Sequence, residues 1–214
     1  SHSATADAQF HGVSFYRCKK TNTQAQATFG ASLGSIGFYH CKFEECAGNT
    51  NTETLFGITR YYVAHLTMDS CIVINCYALS SYPIGTADST GQPDSSITIN
   101  RCSFHINTNV GEIINGETVA LPSHIFRLVA SSMYSINNNI FVFEGDAVPD
   151  ISDESVVLGI GNYVTNVTDV SESGFTEISS PFADPANGNF ELTPNSSAIN
   201  LGSATGTNIP SDAI

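Results

Sequence analysis

The chain has 214 residues, 41% of them hydrophobic and only 13% charged, a balance that excludes a disordered polymer and supplies a sizeable core. Its formal net charge is −13, with all seven Lys and Arg at or before Arg127 and eleven of the twenty acids after it. Phosphate binding needs clustered cations, so nucleic acid and anionic membrane surfaces are poor partners, and no window is apolar and long enough for membrane insertion.

Short runs of Val, Ile, Phe, Tyr and Thr, separated by Asn, Gly, Ser and Asp, predict an all-β protein. The opening SHSATADAQF has no initiator Met and no basic-then-apolar leader, which reads as a processed or recombinant piece. From Phe10 onward four segments align without gaps: FHGVSFYRC, FYHCKFEEC from Phe38, MDSCIVINC from Met68 and INRCSFHIN from Ile99. Their successive offsets are 28, 30 and 31 residues, the mark of a repeat architecture.

Read down its columns, the alignment stacks Phe10, Phe38, Met68 and Ile99, then Val13, Cys41, Cys71 and Cys102. Two further columns hold Phe15, Phe43, Val73 and Phe104, then Cys18, Cys46, Cys76 and Asn107. Every cysteine falls in one of two columns. Apolar residues alternate within each segment, as in Ile97 and Ile99 or Cys102 and Phe104, so each holds short strands with one buried face. A pair such as Asn100-Arg101 shifts the phase and predicts a corner.

A second apolar group follows in each unit, near Phe29, Phe56, Ile84 and Ile113, which gives three short strands and three turns per repeat. Units of this kind close when each makes one coil and stacks at roughly 4.8 Å on the last. The expected fold is therefore an all-β, right-handed, single-stranded parallel β-helix with rungs of about 28–31 residues. Regular rungs are expected over residues 1–143. "SINNNIFVF", 135–143, is another rung whose register is open by one residue.

Residues 144–214 are expected to hold irregular rungs and a C-terminal capping segment, with Phe190, Leu192 and Ile199 folding over the open end. Rung-like sequence begins by Phe10 without a cap, which predicts an upstream domain or a subunit covering the first coil.

These columns, with an Asn at a corner after an inward aromatic, resemble the pectin-lyase-like β-helix superfamily, and the segment 181–202 resembles the closing segment of secreted bacterial and Bacteroides-type β-helix surface proteins. The resemblance implies a secreted or cell-surface protein dealing with polysaccharide. Lyases of that superfamily use a Lys or Arg base with acidic calcium ligands or a neutralising cation, and its hydrolases use paired carboxylates.

Three readings compete for the cysteines. Zinc needs four ligands at one point, whereas these pairs lie five apart and recur at rung spacing. Disulfides fit an even count, yet stacked neighbours point their Cβ atoms the same way. The favoured reading is structural: small, soft side chains laddering against Phe and Val. Histidines 11, 40, 65, 105 and 124 lack metal-helix spacing and read as surface imidazoles. Lys42 and Glu44 are expected to point outward as a solvated charge pair.

The candidate glycan-facing residues are Tyr39, His40, Lys42, Asp69 and Arg101, drawn from the row His11, Tyr39, Asp69, Asn100 and its neighbours Gly12, His40, Ser70 and Arg101. Asp69, Arg101 and His40 together suit an acidic sugar. No carboxylate pair is identifiable, because Glu44 and Glu45 adjoin in sequence and face opposite ways. The expected function is an exported β-helix segment that binds or displays along glycans. The alternatives are a polysaccharide lyase, the only reading that calls for a cofactor, calcium, and a structural spacer of an adhesin or phage fibre. The sequons at Asn166 and Asn195 matter only in a eukaryotic secretory pathway.

Overall fold

Alternating apolar and polar residues in runs of three to six, closed off by Gly, Asn and Ser, favour strands over helices. The computed structural model describes residues 6–19, 27–31, 33–48, 54–58, 62–77, 82–86, 94–107, 109, 113–114, 116–118, 124–127, 132–145, 150–152, 159–165, 167, 175–179, 181–184, 189–196 and 198, and no helix occurs among them. The first repeat supplies β1 (Ala6–His11), β2 (Ser14–Tyr16) and β3 (Phe29–Ala31); the second supplies β4 (Gly34–Tyr39), β5 (Lys42–Glu44) and β6 (Thr54–Ile58). The third holds β7 (Ala64–Asp69), β8 (Ile72–Ile74) and β9 (Tyr82–Thr86). In the fourth, β10 (Ser96–Asn100) and β11 (Ser103–Asn107) are followed by the small antiparallel pair β12 (Ile113–Ile114) and β13 (Glu117–Thr118), then β14 (His124–Arg127). After these come β15 (Met133–Asn137), β16 (Ile140–Glu144), β17 (Asp150–Ser152), β18 (Asn162–Thr165), β19 (Phe175–Glu177) and the antiparallel pair β20 (Phe182–Asp184) and β21 (Asn189–Leu192).

Apart from these two antiparallel pairs, each strand pairs in parallel with its counterpart one repeat away. Sheet one runs β1-β4-β7-β10-β15, sheet two β2-β5-β8-β11-β16-β18-β19, and sheet three β3-β6-β9-β14-β17. The protein is thus all-β, built of stacked parallel sheets, an arrangement compatible with a β-helix or solenoid. Hydrogen-bonded partners in neighbouring repeats lie 28, 30, 31, 37 and 23 residues apart in turn.

The core is made of columns. Phe10, Phe38, Met68, Ile99 and Ile136 stack in sheet one, and Phe15, Phe43, Val73, Phe104, Phe141 and Val164 in sheet two. Sheet three contributes Phe29, Phe56, Ile84 and Phe126. Within columns the rings lie face to face, with Phe15–Phe43 centroids 4.8 Å apart and Phe104–Phe141 4.5 Å apart. Between columns they meet edge to face: Phe43 lies 5.1 Å from Phe38 and 4.9 Å from Phe56, both at 82°. Such pairs add roughly 0.5–1.5 kcal/mol each beyond their burial.

Sheet three also carries a glycine column, Gly30, Gly57 and Gly85, in register. A Cβ on Gly30 would lie 2.0 Å from the Gly57 carbonyl oxygen, and one on Gly57 would lie 2.3 Å from that of Gly85. The backbones approach too closely there for any side chain.

Three sequence expectations are corrected. Ile113 does not continue the sheet-three column: it lies in β12, and Phe126 pairs with Ile84 instead, because the fourth repeat carries an excursion before its third strand. Asn107 does not turn inward beneath Cys76. Arg17, Glu45 and Asn75 have positive φ of 51°, 51° and 46° at that corner, whereas β11 runs straight through to Asn107, so Ile106 is buried and Asn107 half-buried. The C-terminal pair β20–β21 lies on the outside of sheet two: Phe182 and Leu192 pack with Ile72, Ile74, Ile140, Val142 and Tyr163, residues whose outward positions carry Ser14, Lys42, Tyr16 and Glu44 in the first two repeats. An apolar outer strip needs a cover, and the pair supplies it. Ile199 and Asn166 lie outside the described residues.

Replacing Gly57 by Ala should destabilise the protein by about 1–3 kcal/mol, the cost of overpacking against a backbone that has nowhere to move. A denaturant midpoint unchanged from wild type would show that the close approach is not maintained in solution.

Candidate functional site

The two corner types explain the cysteine columns. At the first corner, between sheets one and two, Gly12, His40, Ser70, Arg101, Asn138 and Gly161 all take φ between 46° and 69° with Arg17, Glu45 and Asn75 doing the same at the second corner. The left-handed residue reverses the strand's phase, so the following residue, Cys41, Cys71, Cys102, Asn139 or Asn162 at the first corner, turns inward and is buried.

Its N–H then points along the stack. The Cys71 amide donates to Cys102 Sγ at 3.4 Å, the Cys102 amide to Asn139 Oδ1 at 2.9 Å and the Asn139 amide to Asn162 Oδ1 at 3.2 Å. The same side chains donate back to a carbonyl of the preceding repeat, Cys71 to Phe38 at 3.3 Å, Asn139 to Ile99 at 2.8 Å and Asn162 to Ile136 at 2.6 Å. Cys and Asn are interchangeable here because each is short and offers both a donor and an acceptor. At the second corner the Cys46 amide donates to Cys76 Sγ at 3.4 Å.

All six cysteines are free thiols. Hydrogen bonding from the Cys76 thiol brings Cys46 down to about 7, while burial holds Cys76 well above its ordinary value. In the other column Cys71 is lowered through its bond with Cys102, and burial raises Cys102.

The candidate row lies outside this corner. His11, Tyr39, Asp69, Asn100 and Asn137 are successive register partners at the ends of sheet-one strands. The His11 and Tyr39 rings stack at 4.7 Å and 11°, and the Tyr39 ring leans over Gly37, where a Cβ would lie 2.6 Å from its edge. Arg101 grips Asp69 through both carboxylate oxygens, its Nε donating to Oδ1 at 2.9 Å and its Nη2 to Oδ2; Ser70 Oγ donates to the same Oδ1 at 3.0 Å. Asn137 donates to Asn100 Oδ1 at 3.4 Å and to Ser135 Oγ at 2.9 Å.

Asp69 and Arg101 are thus brought together, Tyr39 lies one repeat from Asp69, and His40 is exposed at the same corner. Lys42 is not part of the cluster: it stands past the corner on sheet two, 2.8 Å from Glu44, pointing outward beside inward Phe43. With its charge met by Asp69, Arg101 is a weaker lure for an acidic sugar than the sequence implied. Of the histidines, His65 bonds Ser96 Oγ at 2.9 Å through Nδ1, and His105 is no surface imidazole: it is buried on the outer face of sheet two, with Nε2 3.1 Å from Glu144 Oε2. Sequence reasoning missed the rows inboard of the candidates, Ser35, His65, Ser96 and Gly37, Thr67, Thr98, Ser135, although the alternation of β7 and β10 marked them as outward.

The chain matches no family model, no curated protein and no solved structure with which it was compared. No helix among the described residues is long and apolar enough to cross a membrane.

Asn139→Ala should cost about 2–4 kcal/mol, since it leaves a buried N–H and a buried carbonyl without their partners; Cys102→Ala should cost less, sulfur being the weaker partner. Urea titration of the two variants compares them, and equal losses would show that the ladder is only packing.

Proposed function

We propose that this chain is a right-handed parallel β-helix of the pectin-lyase-like type, exported to the cell exterior or surface, where it binds along polysaccharide chains. The strand-to-parallel-strand connections of a single sheet are right-handed in about 98% of cases, which supports the handedness. The observation that carries the binding reading is the outer face of sheet one. There, Ser, Thr, Asn, His and Tyr side chains recur in rows one repeat apart, as in Thr67 and Thr98 or Asn100 and Asn137. A polymer of sugar units repeats on a similar scale, so successive residues can meet successive rungs with the same hydrogen-bonding groups. Tyr39, half-buried and stacked on His11, adds an aromatic edge at one end of the face.

The lyase reading rests on one local feature, the Asp69–Arg101–Ser70 cluster beside His40. Under that reading calcium would be the cofactor, and Asp69 the nearest acid to hold it. The bidentate Arg101 contact favours binding over proton abstraction, because a guanidinium fixed on a carboxylate stays protonated.

Affinity electrophoresis through gels containing neutral glucan, pectin or alginate tests the proposal. Retardation in at least one gel, reduced tenfold or more in apparent affinity by Tyr39→Ala, is expected; migration unchanged in all of them would remove the glycan reading and leave a structural spacer. Growth of unsaturated-product absorbance, abolished in Arg101→Ala, would instead establish the lyase alternative.

A further inference from the structure

Six residues with left-handed backbone mark the first corner, Gly12, His40, Ser70, Arg101, Asn138 and Gly161, and Arg101 alone among them carries a fixed positive charge. The other described Lys and Arg stand elsewhere: Arg17 and Lys19 at and just past the second corner, Lys42 on β5 in sheet two and Arg127 at the end of β14 in sheet three. The outward positions of the sheet-one strands carry two acids, Asp7 and Asp69, and among the described residues no Lys or Arg. A polyuronate presents a carboxylate on each sugar, and a guanidinium fork is the side chain best shaped to hold one. At this face that task falls to Arg101.

The fork is already filled. Arg101 Nε donates to Asp69 Oδ1 at 2.9 Å and Nη2 donates to Oδ2, while Ser70 Oγ donates to the same Oδ1 at 3.0 Å and holds the carboxylate in place. The pair is partly buried, with the Arg101 side chain 31% and the Asp69 side chain 23% exposed, so salt screens it less than a contact in open solvent. An incoming carboxylate has to displace Asp69 or accept its repulsion at close range, a cost aimed at one class of ligand. Hydroxyl groups meet no such barrier, because Thr67, Thr98, Ser135 and Asn137 offer uncharged donors and acceptors along the same face. The net charge of −13 opposes a polyanion at longer range.

We propose that Asp69 is the specificity-determining residue of this face: by occupying Arg101 it restricts the surface to uncharged sugar chains and refuses polyuronates. The proposal rests on the glycan reading above and names the class of polymer within it. Asp69 acts by withholding a cation rather than by touching the sugar.

Affinity electrophoresis at near-physiological salt, through gels holding neutral glucan, polygalacturonate or alginate, tests it. The wild-type protein should be retarded by neutral glucan and by neither uronate polymer. Asp69→Ala, which frees Arg101, should gain tenfold or more in apparent affinity for polygalacturonate. Asp69→Asn, which keeps the shape of the side chain, should gain in the same direction, and adding Arg101→Ala to Asp69→Ala should abolish the gain. Retardation of the wild type by either uronate polymer would overturn the assignment while leaving the glycan reading intact. The assignment also falls if neither Asp69 variant gains, or if the gain survives without Arg101. A wild type retarded in no gel, beside an Asp69→Ala variant that gains polygalacturonate through Arg101, would remove the glycan reading but uphold the block that Asp69 places on Arg101.

Discussion

At the first corners of the third, fourth and fifth repeats an amide turned into the interior, that of Cys71, Cys102 or Asn139, finds its acceptor on a side chain of the next repeat, and the regular structure depends on that bond. A buried N–H left without a partner costs about 1–3 kcal/mol, and the corner recurs in each repeat, so an unmet requirement would be multiplied along the stack. The requirement selects the residue: short enough to stay inside a tight turn, with an acceptor for the amide and a donor for the carbonyl above. Cysteine meets it weakly and asparagine strongly. The column accordingly changes from Cys41, Cys71 and Cys102 to Asn139 and Asn162 without any change in the path of the chain.

Once the corners are fixed, the strands between them have little freedom. A one-residue slip would send Phe38 or Phe43 to the solvent face, and the face-to-face columns would lose their partners. The excursion before β14 illustrates the consequence. The distance to the next repeat lengthens to 37 residues, yet Phe126 still lands beneath Ile84 and Phe141 beneath Phe104. The extra length lies between sheet two and sheet three, where β11 runs on past the position at which Arg17, Glu45 and Asn75 turn the chain in the earlier repeats.

That division explains what was legible in the sequence. The columns from Phe10 and Phe15 could be read directly, because apolar alternation and sulfur spacing survive in the letters. Most left-handed positions could not: Arg17, Ser70, Glu45 and Arg101 have no strong preference for that region, and only Gly12, His40, Asn75, Asn138 and Gly161 advertise it. Without knowing that the second corner disappears in the fourth repeat, Asn107 was bound to be counted as Cys76's successor. The outer cover of sheet two was equally hidden, since Ile72, Ile74 and Val142 look like core residues until their register places them outside. Of the candidate site, the row from His11 to Asn100 was visible, but the grip of Arg101 on Asp69 was not: it depends on a side chain at the corner reaching back one repeat.

The two outer faces now separate in character. Sheet two becomes apolar along its middle repeats and is closed by Phe182 and Leu192, so it contributes to cohesion. Sheet one stays largely polar, its inboard outward positions carrying Asp7, Gln9, Ser35, Gly37, His65, Thr67, Ser96, Thr98 and Ser135 with exposed Met133 as the apolar exception, and the charge pair of Asp69 and Arg101 is neutralised internally. A surface of that kind gains little from long-range attraction of ions and much from matching many short hydrogen bonds at once. On the proposed glycan reading, affinity would grow with the number of rungs engaged rather than with any single residue, as expected for an extended, repeating, hydroxyl-rich polymer rather than a small acidic ligand.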